Sequence, residues 1–211
     1  MRGTKEEILG RITRALDGAE RTPAPAYQYG TTSSLPDVAA LFAERVEDYR
    51  AVVERVDRDG IGAAVAGALS GTRRIVVPPG LPPSWVAALD GIDVVTDDGT
   101  LSAAELNRFG AVITAAAVGI AETGTIVLDH GAGQGRRALS LVPDLHVCIV
   151  EESQLVGDVP ESIGRLREAV RDGRPLTWIS GPSATSDIEL ERVEGVHGPR
   201  TLHVLLVSAE S

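Results

Sequence analysis

Short strand-like runs alternate with helical segments along most of this 211-residue chain. Residues 51–56 form a β-type run, residues 61–69 have apolar positions at helical spacing, and the β-branched run of residues 74–77 stops at a Pro–Pro pair. Strands separated by helices pair in parallel through crossover connections, and the helices then cover the faces of the sheet. The order therefore predicts a Rossmann-like, three-layer α/β fold with a mostly parallel sheet.

The alternation continues to the end of the chain and is preceded by two N-terminal helices. The first helix is predicted at residues 4–17, and the second runs from Ser34 or Asp37 to Arg50, after a proline-containing extended arm. The apolar face of the first helix needs a partner, either the domain or a second subunit, which leaves a homo-oligomer open. We expect a helical extension, residues 1–50, and one α/β domain, residues 51–211. Further strands are predicted at residues 92–95, 112–117, 125–128, 145–150, 176–179 and 202–207, and further helices at residues 84–89 and 160–170.

The charged residues and the single cysteine exclude several classes of function. A net charge of −10 and a pI of about 4.9 argue against nucleic-acid binding, which requires a basic face. Lys5 is the only lysine and lies in a predicted helix, so a phosphate-binding P-loop, a Schiff base and a pyridoxal anchor are excluded. Cys148 is expected to be a buried thiol, and alone it can neither form an internal disulfide nor hold a metal cluster. Because the chain shows no secretory signal and no apolar stretch of membrane-spanning length, we expect a cytoplasmic protein.

Glycines are densest between Val112 and Pro143, where they let the backbone approach a ligand or adopt a positive φ. A dinucleotide-binding GxGxxG motif would need glycine at position 136, which is arginine, so a glycine-rich turn between strands is the better interpretation. Glu122, Arg136 and Arg137 are presented on these turns beside apolar strands. An arginine pair in such a place suits an anionic small molecule.

A second polar group follows the predicted strand at residues 176–179. Ser183, Thr185 and Asp187 come before a helical-looking segment, whose N-terminus would offer backbone N–H groups to an anion. Ser186 and Glu189 have the spacing of a capping box, and capping would explain this composition without any ligand. Both interpretations remain open from the sequence.

The four histidines differ in their surroundings. His197 lies among glycines on a loop, where it can titrate or bind an anion near neutral pH. His146 and His203 lie inside strand-like runs and are expected to be structural, whereas His130 fits either role. The spacing of histidines and carboxylates matches no metal-binding motif.

Because both polar groups follow strands, we expect them to meet in one anion pocket beyond the carboxyl edge of the sheet. Loss of Arg136 and Arg137 should weaken anion binding by about 1.5–3 kcal/mol for each charge-assisted bond. Besides Glu122, the predicted ligand-binding residues are Thr123, Gly124, Thr125, Gly133, Gly135, Arg136, Arg137, Ser183, Thr185, Asp187 and His197.

Three segments carry a resemblance to a known family. They read GIAETGTIVL at residues 119–128, GQGRRALSLVPDLHVCIV at residues 133–150, and ISGPSATSDIELERVEGVHGPRTLHVLLV at residues 179–207. With the intervening sequence, residues 50–207 resemble the lactate utilization protein C family, whose members carry the LUD domain. The resemblance implies the α/β fold of the superfamily that contains NagB, ribose-5-phosphate isomerase and the CoA transferases, in agreement with the alternation of strands and helices.

The resemblance also implies a function and partners. It implies a role in the oxidation of L-lactate to pyruvate together with iron–sulfur partner proteins, this chain being the member without a cluster and without a cofactor of its own. The turn at Glu122 also resembles the glutamate turn of CoA transferases, which implies Glu122 as a catalytic nucleophile in a stand-alone enzyme. A non-catalytic anion-binding or scaffolding protein is the third alternative.

Overall fold

A computed structural model describes residues 4–18, 35, 37–185, 193–194 and 198–209. Its helices are α1 (Thr4–Leu16), α2 (Val38–Asp48), α3 (Ile61–Ala68), α4 (Ala103–Leu106), α5 (Val159–Arg165) and α6 (Arg167–Arg171). Its strands are β1 (Val52–Val56), β2 (Arg74–Val77), β3 (Asp93–Thr96), β4 (Ala111–Ala115), β5 (Val118–Ile120), β6 (Thr125–Leu128), β7 (Leu145–Glu151), β8 (Leu155–Val156), β9 (Thr177–Ile179), β10 (Ala184–Thr185), β11 (Val193–Glu194) and β12 (Thr201–Val207).

Six strands form a parallel sheet at the centre of the molecule, in the order β1-β12-β7-β4-β2-β3. The central strands β7 and β12 are apolar along nearly their whole length because both of their faces are covered. Val147 and Ile149 face α3, whereas Cys148 and Val150 face α2 and a second sheet. The predicted three-layer α/β class and the parallel sheet are confirmed.

The second sheet has four strands in the order β8-β5-β6-β9 and packs against the main sheet. This sheet was not predicted from the sequence, although strands were predicted at residues 125–128 and 176–179, within or close to β6 and β9. The strands β5 and β8 contain only three and two residues. Segments this short show no measurable alternation of polar and apolar residues, so tertiary pairing alone reveals them.

The helices α2 and α4 begin at their capping residues. One of the predicted helices does not form. Asp37 caps α2, and Ser102 with Glu105 forms a complete capping box at α4. The helix predicted at residues 84–89 is wrong, because only a short 3-10 turn forms at Pro83–Trp85. The backbone there makes bonds between residues three apart, from the Val86 amide to the Pro83 carbonyl and from the Leu89 amide to the Val86 carbonyl, both at 3.2 Å. The helix predicted at residues 160–170 is divided into α5 and α6 at Leu166.

The two N-terminal helices differ in their packing. In α2, Phe42 and Val46 are fully buried between the two sheets, so α2 is part of the core. In α1 the apolar residues Ile8, Leu9, Ile12 and Leu16 are each about half exposed, and no residue is buried. The predicted arm at residues 17–34 lies almost wholly outside the described residues. The division into residues 1–50 and 51–211 stays a prediction.

Candidate functional site

Two cavities flank the glycine-rich loop of residues 129–137, and Arg137 lines both of them. The first, which we name the Arg137 cavity, has a volume of about 220 Å³ and is lined by Arg137, Ser140, His146, Trp178, Ile179, Ser180, Gly181, Pro182, Ser183, Gly198, Pro199 and Leu202. The second, which we name the Arg136 cavity, has a volume of about 720 Å³ and is lined by Pro79, Gly80, Asp97, Asp98, Gly99, His130, Gly131, Ala132, Gly135, Arg136, Arg137 and Pro175.

The glycine-rich loop is fixed to the carboxyl ends of β2 and β4. The Gly133 amide donates to the Pro79 carbonyl at 2.9 Å, and the Ala115 amide donates to the Gly133 carbonyl at 2.8 Å. Gly135 has a φ of 69°, and a Cβ there would lie 2.5 Å from Leu139 Cδ1. Both predicted glycines therefore serve the close approach of the loop backbone to its neighbours, and Gly135 also lines the Arg136 cavity.

Arg136 is committed to an internal ion pair. Its Nε lies 2.8 Å from Oδ2 of Asp97, its second terminal nitrogen lies 3.0 Å from Oδ1, and the same nitrogen donates to the Leu101 carbonyl at 2.5 Å. The Asp97 carboxylate, which is 3% exposed, raises the pKa of Arg136. Arg136 therefore adds little free positive charge to the Arg136 cavity, which Asp98 also lines, and the guanidinium of Arg137 is the other cation in its wall.

Arg137 has the opposite environment, although it is the next residue along the chain. It donates to the Ser140 hydroxyl at 3.2 Å, and among the described residues it has no carboxylate within ion-pair distance. Within that described part of the chain, nothing neutralises the guanidinium, which lines the Arg137 cavity. A planar fork of donors at the wall of a small cavity is suited to a carboxylate.

His146 forms a buried polar surface of the Arg137 cavity and is 1% exposed. Its Nε2 lies 2.7 Å from the Thr114 hydroxyl, which belongs to the neighbouring strand β4. Burial lowers the pKa of His146 to about 4, and the positive charge of Arg137 acts in the same direction. The imidazole is therefore neutral at physiological pH.

Serine hydroxyl groups also belong to the lining of this cavity. Ser180 and Ser183 belong to the lining, and the Ser183 amide donates to the Pro199 carbonyl at 2.8 Å. The Ser180 hydroxyl oxygen lies 2.9 Å from the Thr125 hydroxyl oxygen. The Thr125 hydroxyl oxygen lies 2.8 Å from the Thr123 hydroxyl oxygen. The predicted residues Thr123 and Thr125 thus support the wall rather than line it.

Glu122 lies apart from both cavities. It is exposed at the β5–β6 turn, where its amide donates to the Gly157 carbonyl at 3.0 Å. Gly124 in the same turn has a φ of 58°, and a Cβ there would lie 2.6 Å from the Arg45 carbonyl carbon. The turn is therefore shaped by its packing on α2, and the catalytic role of Glu122 stays a prediction.

The predicted second polar group is only partly described. Thr185 lies in β10, which pairs with β11, whereas Asp187 and His197 lie outside the described residues. Ser183 and Arg137, one from each predicted group, line the same cavity. The meeting point differs from the expected carboxyl edge, because His146 and Leu202 of this cavity lie at the amino ends of β7 and β12.

Four residues that line the Arg137 cavity were not predicted as site residues from the sequence: Ser140, His146, Trp178 and Ser180. His146 was expected to be structural because it lies in a strand, and only the pairing of β7 with its neighbours shows that this position borders a cavity. A single buried polar residue in an apolar strand was the available signal.

The described residues contain no group of three or more His, Cys, Asp or Glu side chains arranged to hold a metal ion. In the same part of the chain, every helix is too short or too polar to cross a lipid bilayer.

Comparisons of this chain with known proteins all point to the same family. Residues 87–207 match the LUD domain. The chain is 49% identical over 203 residues to a Lactate utilization protein C of Deinococcus radiodurans, an alignment that covers 96% of this chain and 95% of that protein. A Lactate utilization protein C of Bacillus pumilus is 39% identical over 95 residues, which is 43% of this chain and 39% of that protein.

A solved structure supports the same relationship. The crystal structure of a DUF162 family protein from Deinococcus radiodurans superimposes with a TM-score of 0.71 at 45% sequence identity. The superposition covers 81% of this chain and 96% of that chain.

Proposed function

This chain belongs to the LUD domain family, and we propose that it serves L-lactate utilization as a component that holds no iron–sulfur cluster itself. The observation that carries this proposal is the 49% identity, over 96% of the chain, to a protein named Lactate utilization protein C. The only cysteine, Cys148, is buried in β7, and one buried thiol does not provide the four ligands that such clusters require. Electron transfer is therefore assigned to iron–sulfur partner proteins.

The Arg137 cavity is the part of the chain that we assign to the substrate. Lactate and pyruvate are small carboxylates, and Arg137 supplies a cation without an internal carboxylate partner among the described residues. Serine hydroxyls and a neutral imidazole provide further hydrogen bonds in a space of about 220 Å³. In this assignment the chain binds and orients the carboxylate while a partner removes the electrons.

The test is lactate-dependent dye reduction by the chain mixed with the iron–sulfur proteins that the proposal assigns to it as partners. We expect no reduction by the chain alone, reduction by the complete set, and loss of reduction when the chain is omitted. Arg137→Ala should weaken lactate binding by about 10- to 150-fold, the equivalent of ~1.5–3 kcal/mol for a charge-assisted hydrogen bond. Arg171→Ala, at an exposed arginine that ends α6, is the matched control and should bind as wild type does.

Two results would contradict the proposal. Undiminished lactate oxidation by the partner proteins without this chain would remove it from the reaction. Acyl-CoA exchange by the chain alone, abolished by Glu122→Gln, would identify a CoA transferase instead, with Glu122 as its nucleophile.

A further inference from the structure

We infer that His146 determines which carboxylates the Arg137 cavity accepts, because its Nδ1 accepts a hydrogen bond from a hydroxyl group on the bound molecule. The inference rests on the proposed function, since it requires a carboxylate at Arg137. Beyond that function, the inference concerns ligand selectivity. The Arg137 cavity binds a hydroxycarboxylate more tightly than the corresponding ketocarboxylate.

The position of the imidazole supports a direct contact. His146 is 1% exposed, yet it belongs to the cavity lining, so its accessible surface faces the cavity. The Nε2 atom is occupied by the Thr114 hydroxyl at 2.7 Å, and Thr114 is fully buried outside the lining. Nδ1 has no hydrogen-bond partner among the described residues and is the ring nitrogen left for a ligand.

The protonation state of Nδ1 follows from the neighbouring side chains. A neutral imidazole carries one proton, on either Nδ1 or Nε2. The Thr114 hydroxyl has a single proton, and because its oxygen also lies 3.7 Å from Cys148 Sγ, we assign that proton to a hydrogen bond with the sulfur. The Thr114 oxygen then accepts a hydrogen bond from the Nε2–H group. Nδ1 is left with its lone pair and acts as an acceptor.

An acceptor at this place distinguishes ligands that are otherwise alike. A hydroxyl group beside the carboxylate can donate to Nδ1, whereas a keto oxygen would place one lone pair against another, and a methylene group would leave Nδ1 unpaired. Each mismatch costs about one hydrogen bond, which corresponds to roughly a tenfold loss of affinity.

The test is the binding of L-lactate, pyruvate and propionate to the full chain. Titration calorimetry gives the affinities, and the fluorescence of Trp178 in the cavity lining reports occupancy. L-lactate should bind about tenfold more tightly than either of the other two. Thr114→Val and His146→Gln should reduce this preference to within about twofold, since both remove the fixed acceptor. Thr96→Val, at an exposed strand position on β3, is the matched control and should keep it.

A second measurement does not depend on any ligand. Nitrogen-15 NMR of the free protein should show Nδ1 of His146 without a proton and Nε2 with one, and Thr114→Val should abolish this single tautomer. A protonated Nδ1 in the wild type overturns the inference. Equal binding of the three carboxylates overturns it while leaving the Arg137 cavity as their site. Binding of none of them, with the expected tautomer present, contradicts the proposed function instead.

Discussion

Alanine substitutions at the adjacent residues Arg136 and Arg137 should affect different properties of the protein. Arg136→Ala should lower stability, and Arg137→Ala should weaken ligand binding. Arg136→Ala removes the partner of Asp97, whose carboxylate is 3% exposed and accepts two hydrogen bonds from the guanidinium. Arg137→Ala removes one hydrogen bond, to Ser140 at 3.2 Å. The sequence treats the two positions alike, so the contrast tests the structure directly.

The magnitudes follow from burial. An unpaired buried carboxylate typically destabilises a protein by 3–5 kcal/mol, and we expect about 3 kcal/mol for Arg136→Ala because the Arg136 side chain is itself 36% exposed. Loss of the Arg137–Ser140 bond should cost about 0.5–1 kcal/mol. In the double variant Arg136→Ala with Asp97→Asn no buried charge remains unpaired, so it should be more stable than Arg136→Ala alone.

The assay is urea denaturation followed by circular dichroism, with lactate binding measured on the folded variants by calorimetry. Arg136→Ala should lower the free energy of unfolding and leave binding nearly unchanged. Arg137→Ala should weaken binding and leave stability nearly unchanged. Equal destabilisation by the two single variants, within about 0.5 kcal/mol, would refute the reasoning from burial, since that is the scatter of ordinary surface substitutions.

Three further predictions concern single residues. The folded-state pKa of His146, about 4, lies below its ordinary value of 6.5. Its contribution to stability should therefore be complete above about pH 6.5 and decline by about 3 kcal/mol as the pH falls to about 4, and His146→Gln should flatten this decline in denaturation curves. Cys148 is buried with its pKa raised to about 12; a thiol reagent at about pH 8 should label it only in denaturant, and labelling of the folded protein would contradict its burial. Gly124→Ala should destabilise the protein by about 2 kcal/mol or more in urea denaturation, because a Cβ there meets the Arg45 backbone at a positive φ. Gly164→Ala, in helix α5 with open space around it, should not destabilise the protein and should stabilise it by up to about 1 kcal/mol.

Several features of the site were readable from the sequence. The glycine-rich stretch and the Ser183 segment were both expected to contribute, and Arg137 and Ser183 do line one cavity. The sequence could not show that Arg136 is paired, because its partner Asp97 lies 39 positions away. Nor could it show that His146 borders the cavity, since this depends on the register between β4 and β7.

The sequence by itself determined the alternation of strands and helices, and with it the parallel sheet, because periodicity, capping residues and proline positions act over a few neighbouring residues. It also determined the chemistry that the chain lacks, since a single lysine and a single cysteine exclude whole classes of site. Only the tertiary structure decided which of the two adjacent arginines is paired with Asp97, which histidine borders the Arg137 cavity and where the second sheet forms. Those outcomes depend on contacts such as Thr114 with His146 and Thr125 with Ser180, which join positions 32 and 55 residues apart. Local sequence patterns carry no information about partners at such separations, because the fold brings them together only after the strands have paired.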